Sequence, residues 1–234
     1  MSDGQAISVN FARDVPLFPL DAIVLLPQQV LPLHIFEPRY LQMVARCLDG
    51  AGQIALAVID DALPPPTDGP PPLKNAVCIG QIVQHETLPD GRYNILLQGI
   101  CRARIVRESP PPEGQLFRAA RLEPIGEPNP DAAHLDHLRE WIQTELSEGS
   151  LRHLALAEHV AEYVRDDHVP NAAVFELISF ALLSDPHTRY RLLAEGDLDQ
   201  RVLILERELK QLSTLISRIE HQKPNEWPKG CSWN

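Results

Sequence analysis

The chain has 234 residues, 44% of them apolar and 23% charged, a balance that lets a soluble protein bury a core in one large domain or two small ones. Its formal charge of −11 argues against general binding to phosphate backbones, which needs an excess of Lys and Arg. The imbalance is uneven: residues 1–125 carry 10 Lys and Arg against 13 Asp and Glu, and residues 126–234 carry 11 against 19. Cys47, Cys78, Cys101 and Cys231 have no metal-ligand or disulfide-framework spacing and read as free thiols in a reducing compartment. The N-terminus has no basic region followed by an apolar core, and no apolar run approaches ~20 residues, so a soluble, cytoplasmic protein without membrane segments is expected.

Residues 1–14 read as a flexible N-terminus. Two short apolar runs follow, Val15–Leu20 and Ala22–Pro27, whose prolines Pro16, Pro19 and Pro27 favour first or edge positions in a sheet. In Leu31–Tyr40 a short strand containing Pro32 and His34 passes through Phe36 directly into a helix. Pro38 fits the first helical turn and pushes Glu37 into an extended conformation, so the helix starts at Pro38. Tyr40, Leu41, Val44, Ala45 and Leu48 form its apolar face, and Asp49-Gly50 stops it.

Gln53–Ile59 is the next strand and runs into a proline-rich loop over 60–73. Val77–Leu88 and Arg92–Ile100 flank Pro89-Asp90-Gly91, a strong hairpin signal. The alternation of Arg102 and Arg104 with Cys101, Ala103 and Ile105 continues as a half-buried strand, and Phe117–Leu122 supplies a last one.

Pro124–Pro130 is a joint, past which the apolar period changes from two to about 3.6. Helices are expected at 131–147, 151–166 and 171–183, the third apolar nearly all round and so central to a bundle. Leu198, Val202, Leu205, Leu209, Leu212, Ile216 and Ile219 form a heptad seam, either packed on that bundle or used as a helix interface. Residues 15–125 are thus expected as one unit, 131–220 as a second, and 221–234 as an irregular tail.

Four groups of motifs carry a family resemblance: Pro16-Leu17-Phe18-Pro19-Leu20; Leu31–Tyr40 with Cys47-Leu48; Ile79-Gly80 leading to Leu88–Tyr93 with Gly91; and Gly99, Arg102, Arg104 and Ile105. With Leu192-Leu193 and Leu198–Arg201 they occur in order over about 15–220. The chain resembles the N-terminal, substrate-binding domain of Lon proteases in a stand-alone form. The resemblance implies an α+β fold, a PUA-like β-barrel followed by a helical bundle with a long last helix. It also implies a non-catalytic role in recognising unfolded or extended polypeptides, with a separate protease as a possible partner. Gln28 departs from the family's pattern, which commonly has glycine after the proline of the second run.

The chemistry of a complete Lon protease is not legible here. No G-x-x-x-x-G-K-[ST] loop occurs, and the lysines are Lys74, Lys210, Lys223 and Lys229. Lys229 and Ser232 lie in the irregular tail, with no apolar element to depress the lysine's pKa. His134, His137 and Glu140 share a helical face but read as solvated, and His34 with Glu37 lacks the nucleophile a catalytic pair would serve. No catalytic residue, metal or cofactor is assigned. Arg102, Arg104 and Arg107 form the one local basic cluster, too small on an acidic chain to favour nucleic acid. Two other functions remain compatible with these residues: a scaffold docking or weakly dimerising through helix 198–219, and a PUA-like RNA binder.

Overall fold

The computed structural model describes residues 8–63, 69–127 and 132–221, without the side chains of the last two. Cys231, Lys223, Lys229, Ser232, the first seven residues of the expected N-terminal segment and 222–234 of the expected tail lie outside them. The chain divides into two compact units, 1–128 with 184–197, and 129–183 with 198–234.

The first unit contains β1 (Val15–Leu20), β2 (Val30–Ile35), α1 (Pro38–Leu48), β3 (Gln53–Ile59), β4 (Leu73–Thr87), β5 (Tyr93–Ser109) and β6 (Ala119–Pro124). Strand order is β2-β5-β4-β3-β1-β6, and β5 also pairs with β6, so five strands close into a ring while β2 stays outside it. β1 and β3 are parallel and all other pairs antiparallel. Val15, Leu17, Val77, Ile79 and Leu122 fill the ring, interleaved with Ala55, Ala57, Ala103 and Ala120, the alternation of large and small side chains that a tight barrel interior requires.

The strand-to-helix corner follows from its residues. Glu37 is extended, at φ −73° and ψ 135°, and Pro38 opens the helix. Tyr40 packs on Phe18, ring centroids 4.4 Å apart, and its hydroxyl donates to the Pro19 carbonyl at 3.3 Å. Arg39 lies over the Tyr40 ring and bonds Glu37 at 2.8 Å, closing the corner.

Two expectations are corrected. The run Ala22–Pro27 is a buried loop instead of a strand: Val24, Leu25 and Leu26 enter the core, and apolarity alone does not separate a core loop from a strand. The segment 184–197, expected within a 131–220 bundle, belongs to the first unit. Its helix α5 (Pro186–Ala194) places the Tyr190 hydroxyl where it accepts from the Ala76 N–H at 3.0 Å, and buried Arg102 donates to the Leu192 carbonyl.

The second unit consists of α2 (Asp136–Ser147), α3 (Ala157–Arg165), α4 (Asn171–Ala181) and α6 (Leu198–His221), with short 3-10 turns at Ala133–Leu135 and Ser150–His153. Leu138, Ile142, Val160, Val164, Val174 and Ile178 are buried in it. Arg139 donates to the carbonyls of Val164, Asp166 and Val169 and to Asn171 Oδ1, satisfying the acceptors where α3 ends. Arg201 faces Glu176 at 3.6 Å, both almost fully buried.

Three backbone positions give a stability test. A Cβ on Gly99 would stand 2.1 Å from the Leu26 carbonyl oxygen, whereas at Gly91 it would meet nothing but a φ of +82°. Gln28 holds a φ of +67°, the left-handed region natural to glycine, so the turn keeps its shape at some cost. In urea titration, Gly99→Ala is expected to cost at least about 2 kcal/mol, Gly91→Ala about 1, and Gln28→Gly nothing or a gain below about 1.

Candidate functional site

β5 serves two neighbours in succession. Its Tyr93–Gln98 part pairs with β2 and its Ala103–Ser109 part with β6, so β2, β5 and the distal part of β4 form a three-stranded ribbon extending from the ring. Among the described residues no strand pairs with the outer edge of β2.

The hydrogen-bond pattern tells which backbone groups face outward. Gly99 donates to the Gln29 carbonyl at 2.8 Å. Antiparallel pairs alternate by two, so Leu31, Leu33 and Ile35 bond to β5, opposite Leu97, Ile95 and Tyr93. Val30, Pro32 and His34 therefore turn their backbones to the free edge. Pro32 has no N–H to lose there, which explains its tolerance in the strand. An incoming strand would meet the N–H groups of Val30 and His34 and the carbonyls of all three.

The two faces of the ribbon differ as sharply. Ile35, Ile82, Ile95 and Leu97 are buried on one. The other carries Val30, Pro32 and His34 beside Leu96 and Asn94, with Gln84 and Glu86 beyond. Val30 is 47% exposed and Phe36, just past the strand, 60%. A cleft of about 350 Å³ is lined by Pro32, His34, Gln84, Glu86, Asn94 and Leu96, among others. His34 anchors its polar side: Nδ1 is 2.8 Å from Asn94 Oδ1, Nε2 is 3.2 Å from Arg92, and Asn94 donates to Glu86. The His34 ring also stacks on Phe36, 6.0 Å between centroids.

Other expected groups are not brought together for chemistry. His34 and Glu37 diverge: Glu37 bonds Arg39, and His34 reaches across the sheet to Asn94. His134 bonds Asp199 at 2.9 Å, and no group of three metal-ligating side chains exists among the described residues. The basic cluster is dispersed, with Arg102 buried and Arg104 paired with Glu123 at 2.9 Å. Gly80 is pinned under Leu97, which a Cβ would strike. The heptad seam is largely used within the second unit: Leu198, Val202, Leu205 and Leu209 are buried, Leu212 and Ile216 half-buried, and only Ile219 is exposed. It is not free along its length for a second helix.

The thiols are equally quiet. Burial pushes Cys47 and Cys101 up to about 11, against a weak opposing pull from the neighbouring arginine in each case. At pH 8 their thiolate fraction is then about one part in a thousand. Mass spectrometry after iodoacetamide treatment is expected to find both unmodified in native protein and alkylated in urea.

Comparison with known proteins places these features. A family model, the substrate-binding domain of ATP-dependent protease La (Lon), matches residues 14–211. The Lon protease of Helicobacter pylori (strain ATCC 700392 / 26695) is 24% identical over 227 residues, covering 92% of this chain and 26% of that protein. That of Trichlorobacter lovleyi is 32% identical over 117 residues, covering 49% of this chain and 14% of that protein. The chain therefore spans about a quarter or less of the curated relatives it matches. Among solved structures, a Lon N-terminal domain protein from Xanthomonas campestris has a TM-score of 0.58 at 24% identity, covering 83% of this chain and 98% of that one. The N-terminal domain of a Mycobacterium avium complex Lon protease has a TM-score of 0.60 at 17% identity, covering 82% and 96%. With a barrel followed by helices and a match across most of its length, the chain belongs to the Lon substrate-binding domain family.

Proposed function

We propose that this protein holds extended or partly unfolded polypeptide on the β2 edge and its adjoining exposed face, without chemistry of its own, and presents it to a protease. The observation that carries this reading is the unpaired outer edge of β2, flanked by the exposed apolar side chains of Val30 and Phe36. Main-chain hydrogen bonds to an added strand are indifferent to sequence, and shallow apolar contacts on alternate residues add affinity with little selectivity. The face is open and mixed in polarity, suited to a chain in transit. His34, Asn94, Glu86 and Arg92 add a polar border that can bond side chains or backbone of the bound segment.

The purified protein is expected to bind a permanently unfolded model substrate and to leave it uncut with or without ATP. The double variant Val30→Asp, Phe36→Ser is expected to bind at least about tenfold more weakly with an unchanged melting temperature, since both side chains are exposed. Undiminished binding by a folded double variant contradicts the assignment of this face.

A second reading, docking through α6, has its own observation. Leu203 and Leu215 on that helix are each more than half exposed. These residues lie off the heptad seam, so an interface there would use a different stripe from the one its spacing suggests. Mass measurement in solution tests it: a dimer that Leu215→Asp converts to monomer supports it, and a wild-type monomer removes self-association.

A further inference from the structure

A second cleft, of about 600 Å³, lies in the first unit among the segment Asn10–Pro16, the end of α1 and the loop between β5 and β6. Its size is in the range of sites for small ligands and short peptides. Val15, Pro16, Pro110, Pro112 and Phe117 give it apolar walls. Its charged lining is Arg13, Asp14 and Arg46. Asp14 is fully engaged, one oxygen accepting from Arg121 at 3.1 Å and the other from Ser109. Among the described residues Arg46 bonds only the neutral Gln115 side chain, at 2.6 Å, and it lies 5.8 Å over the Phe117 ring. The Arg13 guanidinium has no partner among the described residues and is exposed. On a chain of charge −11, this is a local reversal of sign: among the described residues the cleft is lined by two guanidinium groups and a single carboxylate, Asp14, which is itself shared with Arg121.

We propose that the cleft binds the free C-terminal end of a polypeptide, its carboxylate held by Arg13 and Arg46 and its last apolar side chains against Pro16, Pro110 and Pro112. This inference rests on the polypeptide-binding reading and adds a second subsite to it. Guanidinium forks match a carboxylate in shape as well as charge. The prolines favour an end group over a chain running through: Pro110 and Pro112 have no N–H to offer a strand, and Pro16 is already paired within the ring opposite Ala119. The two subsites would thus read different things, one the backbone of any extended stretch and the other a chain end.

Fluorescence anisotropy with a labelled apolar hexapeptide, as free acid and as C-terminal amide, tests this on the full chain. The free acid is expected to bind, and the amide to bind at least about tenfold more weakly. Arg13→Glu, at an exposed position, is expected to weaken the acid to a similar degree with an unchanged melting temperature and with undiminished binding of an amidated unfolded polypeptide. Arg13→Lys is expected to restore part of the affinity. Equal binding of acid and amide, or indifference to Arg13→Glu, overturns the cleft proposal and leaves the β2 assignment standing. Displacement of the peptide by inorganic phosphate or a short RNA at comparable concentration also overturns it, in favour of a general anion site. Failure of both the acid and the unfolded polypeptide to bind overturns both readings.

Discussion

Much of this molecule depends on how closely the backbone at Leu26 approaches Gly99. The Leu26 carbonyl occupies the space any side chain at 99 would need, and on either side of it Gln28 donates to Gly99 and Gly99 donates to Gln29. At this point β5 ends its ladder with β2 and moves on to close the barrel with β6. One strand thus provides both a closed ring, which has no edge, and a ribbon whose outer strand keeps one. The buried loop through Val24, Leu25 and Leu26 leads directly into this junction, so the packing of that loop and the placement of the open edge are a single structural solution.

Where local residue types decide a conformation, the fold is legible in the sequence. Pro38 and the extended Glu37 mark the helix start, Pro89-Asp90-Gly91 marks the hairpin, and the periodicity after Leu198 marks the long helix. What is not local is not legible. Ala22–Pro27 has a strand's composition, but its core position comes from tertiary packing. Nothing within Pro186–Ala194 announces that its Tyr190 hydroxyl will meet Ala76, 114 residues away, or that its Leu192 carbonyl will meet Arg102, 90 residues away. The regular seam of α6 shows that a face is buried, without naming the partner that buries it.

The candidate site was legible only in part. Its signature residues Pro32, His34 and Phe36 stand out, but as a corner motif. Their role at an open edge follows from strand order, which no short pattern encodes. Most side chains able to do chemistry hold the architecture instead: Glu37 with Arg39, Arg104 with Glu123, Arg139 across the end of α3, His134 with Asp199. Among the described residues Arg13 and Arg46 are exceptions in lacking a paired carboxylate, and the cleft they line is built from three separate segments.

Amide hydrogen exchange at single-residue resolution, with and without an unfolded polypeptide, reads out whether the β2 edge takes up a strand. Leu31, Leu33 and Ile35 bond inward to β5, while the N–H groups of Val30 and His34 face solvent. Slow exchange is expected at the first three in both states, and slowing of Val30 and His34 only when polypeptide is bound. Binding that leaves Val30 and His34 exchanging as freely as before would contradict strand addition at this edge.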